Sequence, residues 1–216
     1  MNVQLAPAFP LPTVLQTPAQ PGPHRRHTVN GFVLQAAAVD RFNRLLGQLG
    51  RDDGLDSDRL SAAARELCGE GAGTGTAAPR CIRQRLMRLA VLDRMAADRD
   101  WEPANDAIAL TRRVVGYARD RNDLIPDWVP RVGRLDDAIV VDAAWPRLAA
   151  EAEDFADFCR IRALEAHLSG REVHDYRLRR ADWLEAREAE VALRQLRAQV
   201  RQSSYLPATP ARFVVH

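Results

Sequence analysis

The stretch "YARDRNDLIPDWVPRVGRLDDAIVV", residues 117–141, decides the fold of this chain. Pro126 and Pro130 exclude a regular helix between them, because each lacks an amide donor and its ring clashes with the preceding turn. The residues ahead of them, Ile125 and Val129, are kept out of the α region and should be extended. Gly133 permits a turn, and Leu135 to Val141 restarts a helix. The expectation is a rigid helix–loop–helix corner with Leu124, Ile125, Trp128 and Val129 turned inward, since so many apolar side chains in one loop are poor company for water.

Four carboxylates, Asp123, Asp127, Asp136 and Asp137, share that corner. One reading gathers them around Mg²⁺ or another divalent cation, because hard cations take carboxylate oxygens. Such an ion could activate water for phosphoester hydrolysis. The other reading is structural: Asp136 caps a helix beginning near Asp137, at ~1 kcal/mol for a cap, while Asp123 or Asp127 accepts amide hydrogens in the turns. Arg119, Arg121, Arg131 and Arg134 stand close enough in sequence to pair with these acids. No His or Lys lies in the stretch to serve as acid or base. The structural reading leads, and no catalytic residue is assigned.

The order Tyr117, "DLIPD" at 123–127, then Trp128, Pro130, Gly133 and "LDD" at 135–137 resembles the signature of the YkvA-like domains of unknown function. The resemblance covers about 25 residues and implies a helical domain without an established chemistry. Relatives in that family usually carry a Ser-Pro step before "DLIPD", where this chain has Asp120 and Arg121. Many continue into strongly apolar, membrane-associated helices. Residues 142–170 here are amphipathic and acidic instead, so membrane attachment is not expected.

Outward from the corner, helical periodicity prevails. Upstream, Ile82, Leu86, Leu89 and Met95, with Leu92 beside them, form a stripe from Pro79 to about 98, and a helix over about 103–120 carries Ile108, Thr111, Val114, Val115 and Ala118. A helix over about 30–49 shows Phe32, Val33, Ala36, Phe42, Leu45, Leu46 and Leu49 on one face. In "RDDGLDSD", 51–58, Gly54 stands third from the first acid, Asp52, rather than sixth, a departure from a calcium loop; Ser57 is the expected cap of a short helix over 58–68. "GEGAGTGT", 69–76, lacks the Lys and the preceding strand of a phosphate-binding loop and is expected to be a linker. Downstream, Trp145-Pro146 suggests a kink or a new start, after which Leu148, Ala152, Phe155, Cys159 and Leu164 run to Gly170, a suitable residue just past a helix end. Cys159 is expected to be a buried, inert thiol.

The organisation expected is a disordered Pro-rich segment at 1–28, an N-terminal helical pair at 29–68, a Gly-rich linker at 69–78, a helical YkvA-like domain at 79–170, a long charged helix at 171–203 and an extended tail at 204–216. The fold class is mainly α, a helical bundle with the proline corner. Along the charged helix, Val173, Tyr176, Leu184, Val191, Leu196 and Val200 form an expected narrow apolar stripe amid alternating Arg and acid, the pattern of a coiled-coil seam or a partner-docking helix. Tyr176, Leu184, Val191, Leu196 and Val200 are therefore the candidate partner-binding residues.

Composition limits the functions. All 31 basic residues are Arg, yet they are interleaved with 29 acids for a net charge of +2. Phosphate binding wants a surface of one sign, so nucleic acid or nucleotide binding through the Arg-rich helices is possible but not favoured. Three dispersed cysteines, Cys68, Cys81 and Cys159, make no disulfide framework. A signal segment is not expected, and no run of ~20 apolar residues occurs. A cytoplasmic protein without cofactor is expected, a non-enzymatic helical adaptor that binds a protein partner or itself. The first alternative is a metal-dependent hydrolase built on the four aspartates.

Overall fold

The computed structural model describes residues 9–18, 26–69, 76–120 and 122–203. Two compact units divide at Arg160 and Ile161. After a 3-10 turn at Thr13–Leu15 come strands β1 (Thr28–Val29) and β2 (Phe32–Val33). Helices α1 (Ala36–Gln48), α2 (Ser57–Gly69), α3 (Arg80–Ala97), α4 (Asn105–Arg119), α5 (Leu135–Leu168) and α6 (Arg180–Ser203) follow. The fold is mainly α, as the periodicity indicates. No helix among the described residues is long and apolar enough to cross a membrane.

The start of α5 forms the centre of the first unit. Leu135, Ala138, Ile139, Val140, Val141, Ala144 and Leu148 are all buried, so this stretch is enclosed on every side, the condition of a core helix. Further along, Phe155 and Phe158 meet Trp101 at centroid distances of 5.6 and 5.1 Å. α3 packs on α4, and α2 receives both the 3-10 turn and β1. Of the two expectations for Pro146, a new helix start is not met, since α5 runs on through it. A mid-helix proline costs ~3 kcal/mol. Burial of Ala144 and Leu148 beside it, with Val141 one turn before, offsets that at ~1.5–3 kcal/mol per large apolar side chain.

Several boundaries differ from expectation. Residues 30–35 are not helical. Asn30 and Gly31 have φ of 44° and 88° and join β1 to β2 in an antiparallel hairpin that pairs Val29 with Phe32. Positive φ at both central positions is the demand of a type I′ turn, which Asn-Gly meets. Asp56, not Ser57, caps α2: its Oδ1 accepts from the Arg59 amide at 2.8 Å. The loop before it is held by Asn43, whose Nδ2 donates to the Leu55 carbonyl at 2.9 Å and whose Oδ1 accepts from the Leu55 amide at 2.8 Å. Pro103 precedes α4 rather than opening it.

Part of the Pro-rich segment is ordered. Residues 9–18 form a strap whose Leu11 and Leu15 are buried, because two buried arginines collect its carbonyls. Arg59 donates to Leu15 O at 2.9 Å and Val14 O at 3.3 Å, as well as to Gly54 O at 2.8 Å. Arg85 donates to Phe9 O and binds Asp142 at 2.7 Å. Arg51 also donates to Leu15 O, and the Phe9 amide donates to Gln84 Oε1 at 2.9 Å. The expectations for 1–8, 19–25, most of the Gly-rich linker (70–75) and the tail at 204–216 lie outside the described residues.

In the second unit α5 closes at Gly170, whose φ is +65°. Arg171 N bonds Ala166 O at 2.9 Å and Gly170 N bonds His167 O at 3.1 Å, the paired bonds of a Schellman motif. The charged helix begins at Arg180 rather than near 171, so Val173 and Tyr176 precede it. Asp182 fixes its start by accepting from the Arg179 amide at 2.9 Å.

Candidate functional site

The corner between α4 and α5 is built around one polar pair. Tyr117, in the last turn of α4, donates its hydroxyl to Asp136 Oδ2 at 2.7 Å. The same hydroxyl accepts from the Leu124 amide at 3.2 Å, and Asp136 Oδ2 accepts from the Ile125 amide at 3.1 Å. Two loop amides that the prolines leave without helical partners are thereby satisfied. Asp136 thus clamps the corner from within α5 instead of capping its own helix, correcting the expectation.

The rest of the turn is closed by its own backbone. Val129 N bonds Pro126 O at 2.9 Å, Gly133 N bonds Val129 O at 2.9 Å, and Leu135 N bonds Val132 O at 3.0 Å. Gly133 serves close approach: a Cβ there would lie 2.6 Å from Asp127 O and 2.7 Å from Pro126 O. The positive φ falls instead on Arg131, at 66°. Leu124, Ile125 and Val129 are buried as expected, but Trp128 is 73% exposed. Its ring stands edge-on to Phe32 of β2 at 6.0 Å.

The four aspartates do not converge on one point. Asp136 faces Tyr117. Asp127 and Asp137 both bind Arg134 Nε, at 3.0 and 2.5 Å, so a guanidinium stands where the alternative reading puts an ion. Asp123 Oδ1 and Asp137 Oδ1 are buried and without a hydrogen-bond partner. Among the described residues no group of three or more His, Cys, Asp or Glu is placed to hold a metal.

Burial dominates the electrostatics here. It pushes Asp136 up to about 7, against the Tyr117 and Ile125 hydrogen bonds and with the repulsion of Asp137 and Asp123. Asp123 rises to about 6 through burial and the carboxylates of Asp137, Asp127 and Asp120, with Arg134 opposing. Asp137 is raised by burial despite Arg134. Tyr117 is raised far above the ordinary phenol, by burial first and then by Asp136. Burial works against the Arg134 charge, but Asp137, Asp127 and Asp123 outweigh it and hold its proton more tightly than usual.

Two open clefts flank the corner. One, of about 540 Å³, runs along Phe42, Tyr117 and Leu124 with Arg41 and Asp120 at its edge. The other, of about 320 Å³, lies between Trp128, Arg131 and Arg134. Neither has His, Ser or Cys among its described lining residues. Cys159 is half-buried rather than buried, with its sulfur 3.9 Å from Arg94 Nη2.

The candidate partner-binding residues fall differently. Tyr176 is half-buried and outside α6. Leu184, Val191, Leu196 and Val200 are 45–56% exposed, but they do not share a stripe. At ~100° per residue, Val191 and Val200 point to opposite sides of the helix, and Leu184 lies on the side of Val191. Leu193, which the sequence reading omitted, is 46% exposed and shares a side with Leu196 and Val200.

No protein-family model, no curated protein and no solved structure matches the chain.

Proposed function

We propose that this chain is a non-enzymatic interaction protein, a helical scaffold with a YkvA-like corner that offers α6 to a protein partner or a second copy. The observation that carries it is the exposure of Leu184, Val191, Leu193, Leu196 and Val200 along one charged helix. Scattered apolar residues on a surface are ordinary, but two on one side and three on the other of a single 24-residue helix give it apolar faces that a partner would cover. The corner supports a structural role, since its polar atoms mainly serve its own loop. The full chain should be compared with L184D/V191D and with L196D/V200D by light scattering and by capture from a lysate. If neither pair of changes alters the mass in solution or the proteins captured, the reading fails.

A divalent cation at Asp123, Asp127 and Asp137 is the second reading, favoured by the buried, unpartnered Oδ1 atoms of Asp123 and Asp137. Calorimetric titration with Mg²⁺, Mn²⁺ and Ca²⁺ decides it, and absence of heat at millimolar metal removes it.

A further inference from the structure

α6 carries a seam that is clearer than the stripe first expected of it. In "AREAEVALRQLRAQV", 186–200, Ala186, Ala189, Leu193, Leu196 and Val200 follow one another at steps of three, four, three and four. That is the spacing of a coiled-coil interface. All five are exposed, Leu193, Leu196 and Val200 at 46, 56 and 54%. One flank of the seam bears Arg197 and Glu190, which within the helix already binds Arg194 at 2.5 Å; the other bears Glu185, Ala192 and Gln199.

The flanks choose the occupant and its direction. A parallel second copy would set Glu190 against Glu185 across the seam, a like-charge contact. In an antiparallel pair each flank meets itself, so Glu190 faces Arg197 of the second copy, and the two-fold axis repeats the contact. The same register stacks Leu193 on Leu196 of the second copy and sets small Ala189 against Val200. A helix with small residues at one end of its seam and bulky ones at the other is complementary to its own inverted copy.

We propose that α6 pairs antiparallel with α6 of a second copy of this chain, through Ala189, Leu193, Leu196 and Val200, with Glu190 opposite Arg197 on both sides of the axis. The proposal rests on the interaction-protein reading and names its partner. The seam is only about two heptads long, so association is concentration-dependent.

The test is light scattering of the full chain over a dilution series, with circular dichroism confirming helicity of each variant. The wild-type mass should rise from one chain toward two. R197E sets two carboxylates against each other across the seam, and E190R sets two guanidinium groups against each other. Each should weaken association by roughly tenfold or more. The exchange E190R/R197E restores opposite charges and should restore association.

A wild-type mass of one chain at every concentration overturns the proposal, as does association indifferent to R197E. Association strengthened by E190R also overturns it, since the introduced guanidinium would then be meeting Glu185 in a parallel pair. A single-chain wild type that captures a protein lost with L184D/V191D or L196D/V200D sinks the self-pairing alone and leaves the interaction-protein reading standing.

Discussion

The Tyr117 hydroxyl and the Asp136 carboxylate, 19 residues apart, meet at 2.7 Å and between them take up the amides of Leu124 and Ile125. The corner therefore depends on a reciprocal pair rather than on its prolines alone. Removing the hydroxyl leaves the Leu124 amide without its acceptor and Asp136 short of a donor. Y117F is expected to cost ~1–3 kcal/mol, the penalty of stranding a buried polar group. Urea unfolding of the two proteins measures it, and an unchanged midpoint would show that the clamp is idle.

Gly133 is the position at which the corner tolerates no side chain. The atoms that a Cβ would strike, at 2.6–2.8 Å, belong to the backbone of Pro126 and Asp127, which cannot turn aside as a flexible side chain would. G133A is expected to destabilise by ~2–3 kcal/mol. Gly116, inside α4, is the contrast, since a Cβ there meets nothing within 4 Å. G116A should stabilise by up to ~1 kcal/mol through helix propensity. Thermal melts of both should move in opposite directions.

The helices and the corner were legible because Pro126, Pro130 and Gly133 act through local sterics, and because the apolar positions of α3 and α4 repeat at the helical period. What escaped was set by distance or by ambiguity. Phe32 and Val33 fit a helical face as well as they fit a strand, which hid the Asn30-Gly31 turn, although that dipeptide is a hairpin signal in its own right. Trp128 faces out since Leu124, Ile125 and Val129 already fill the interior, and composition cannot rank four apolar neighbours. Nothing local in the sequence singles out Arg59 and Arg85 among interleaved arginines and acids; only the folded chain brings Phe9, Val14 and Leu15 to their guanidinium groups. Arg134 was one of four arginines near enough in sequence to pair with the acids, and the fold selects it as the counter-charge of Asp127 and Asp137. On α6 the fault lay in phase, since Leu184 and Val191 were joined to Leu196 and Val200 without turning the helix between them.

The strap at 9–18 depends on those buried guanidinium groups. Arg59 side-chain exposure is 6%, and it serves Val14, Leu15, Gly54 and Asp53 together. The pairing also holds the Asp53 carboxyl below its ordinary range, chiefly through the hydrogen bond from Arg59. R59A strands several carbonyls at once and is expected to cost ~3 kcal/mol or more. R59K should recover little, because one ammonium cannot replace a planar fork with five donors. Limited proteolysis supplies an independent measure: cleavage within 9–18 should accelerate in R59A and R85A. Unaltered cleavage in both variants would mean that the strap is held by Leu11 and Leu15 alone.

The clamp also makes stability depend on pH, with a definite sign. Asp136 moves from an ordinary 3.8 to about 7 in the folded chain, so the fold binds its proton more tightly than the unfolded chain does. Stability rises with pH only where the unfolded state holds more protons; between these two values it holds fewer. The contribution of Asp136 is therefore fully present below about 4, declines as pH rises, and is lost above about 7. Asp123, raised to about 6, acts in the same direction but stands nearer to solvent. Since other carboxylates such as Asp53 act oppositely, the quantity to measure is the difference between the wild type and D136N, whose amide does not titrate. That difference should move against the wild type from pH 4 to 7 and be level above pH 7.5. A difference that moves in the wild type's favour over this range would mean that the Tyr117 and Ile125 hydrogen bonds outweigh burial and keep Asp136 ionised.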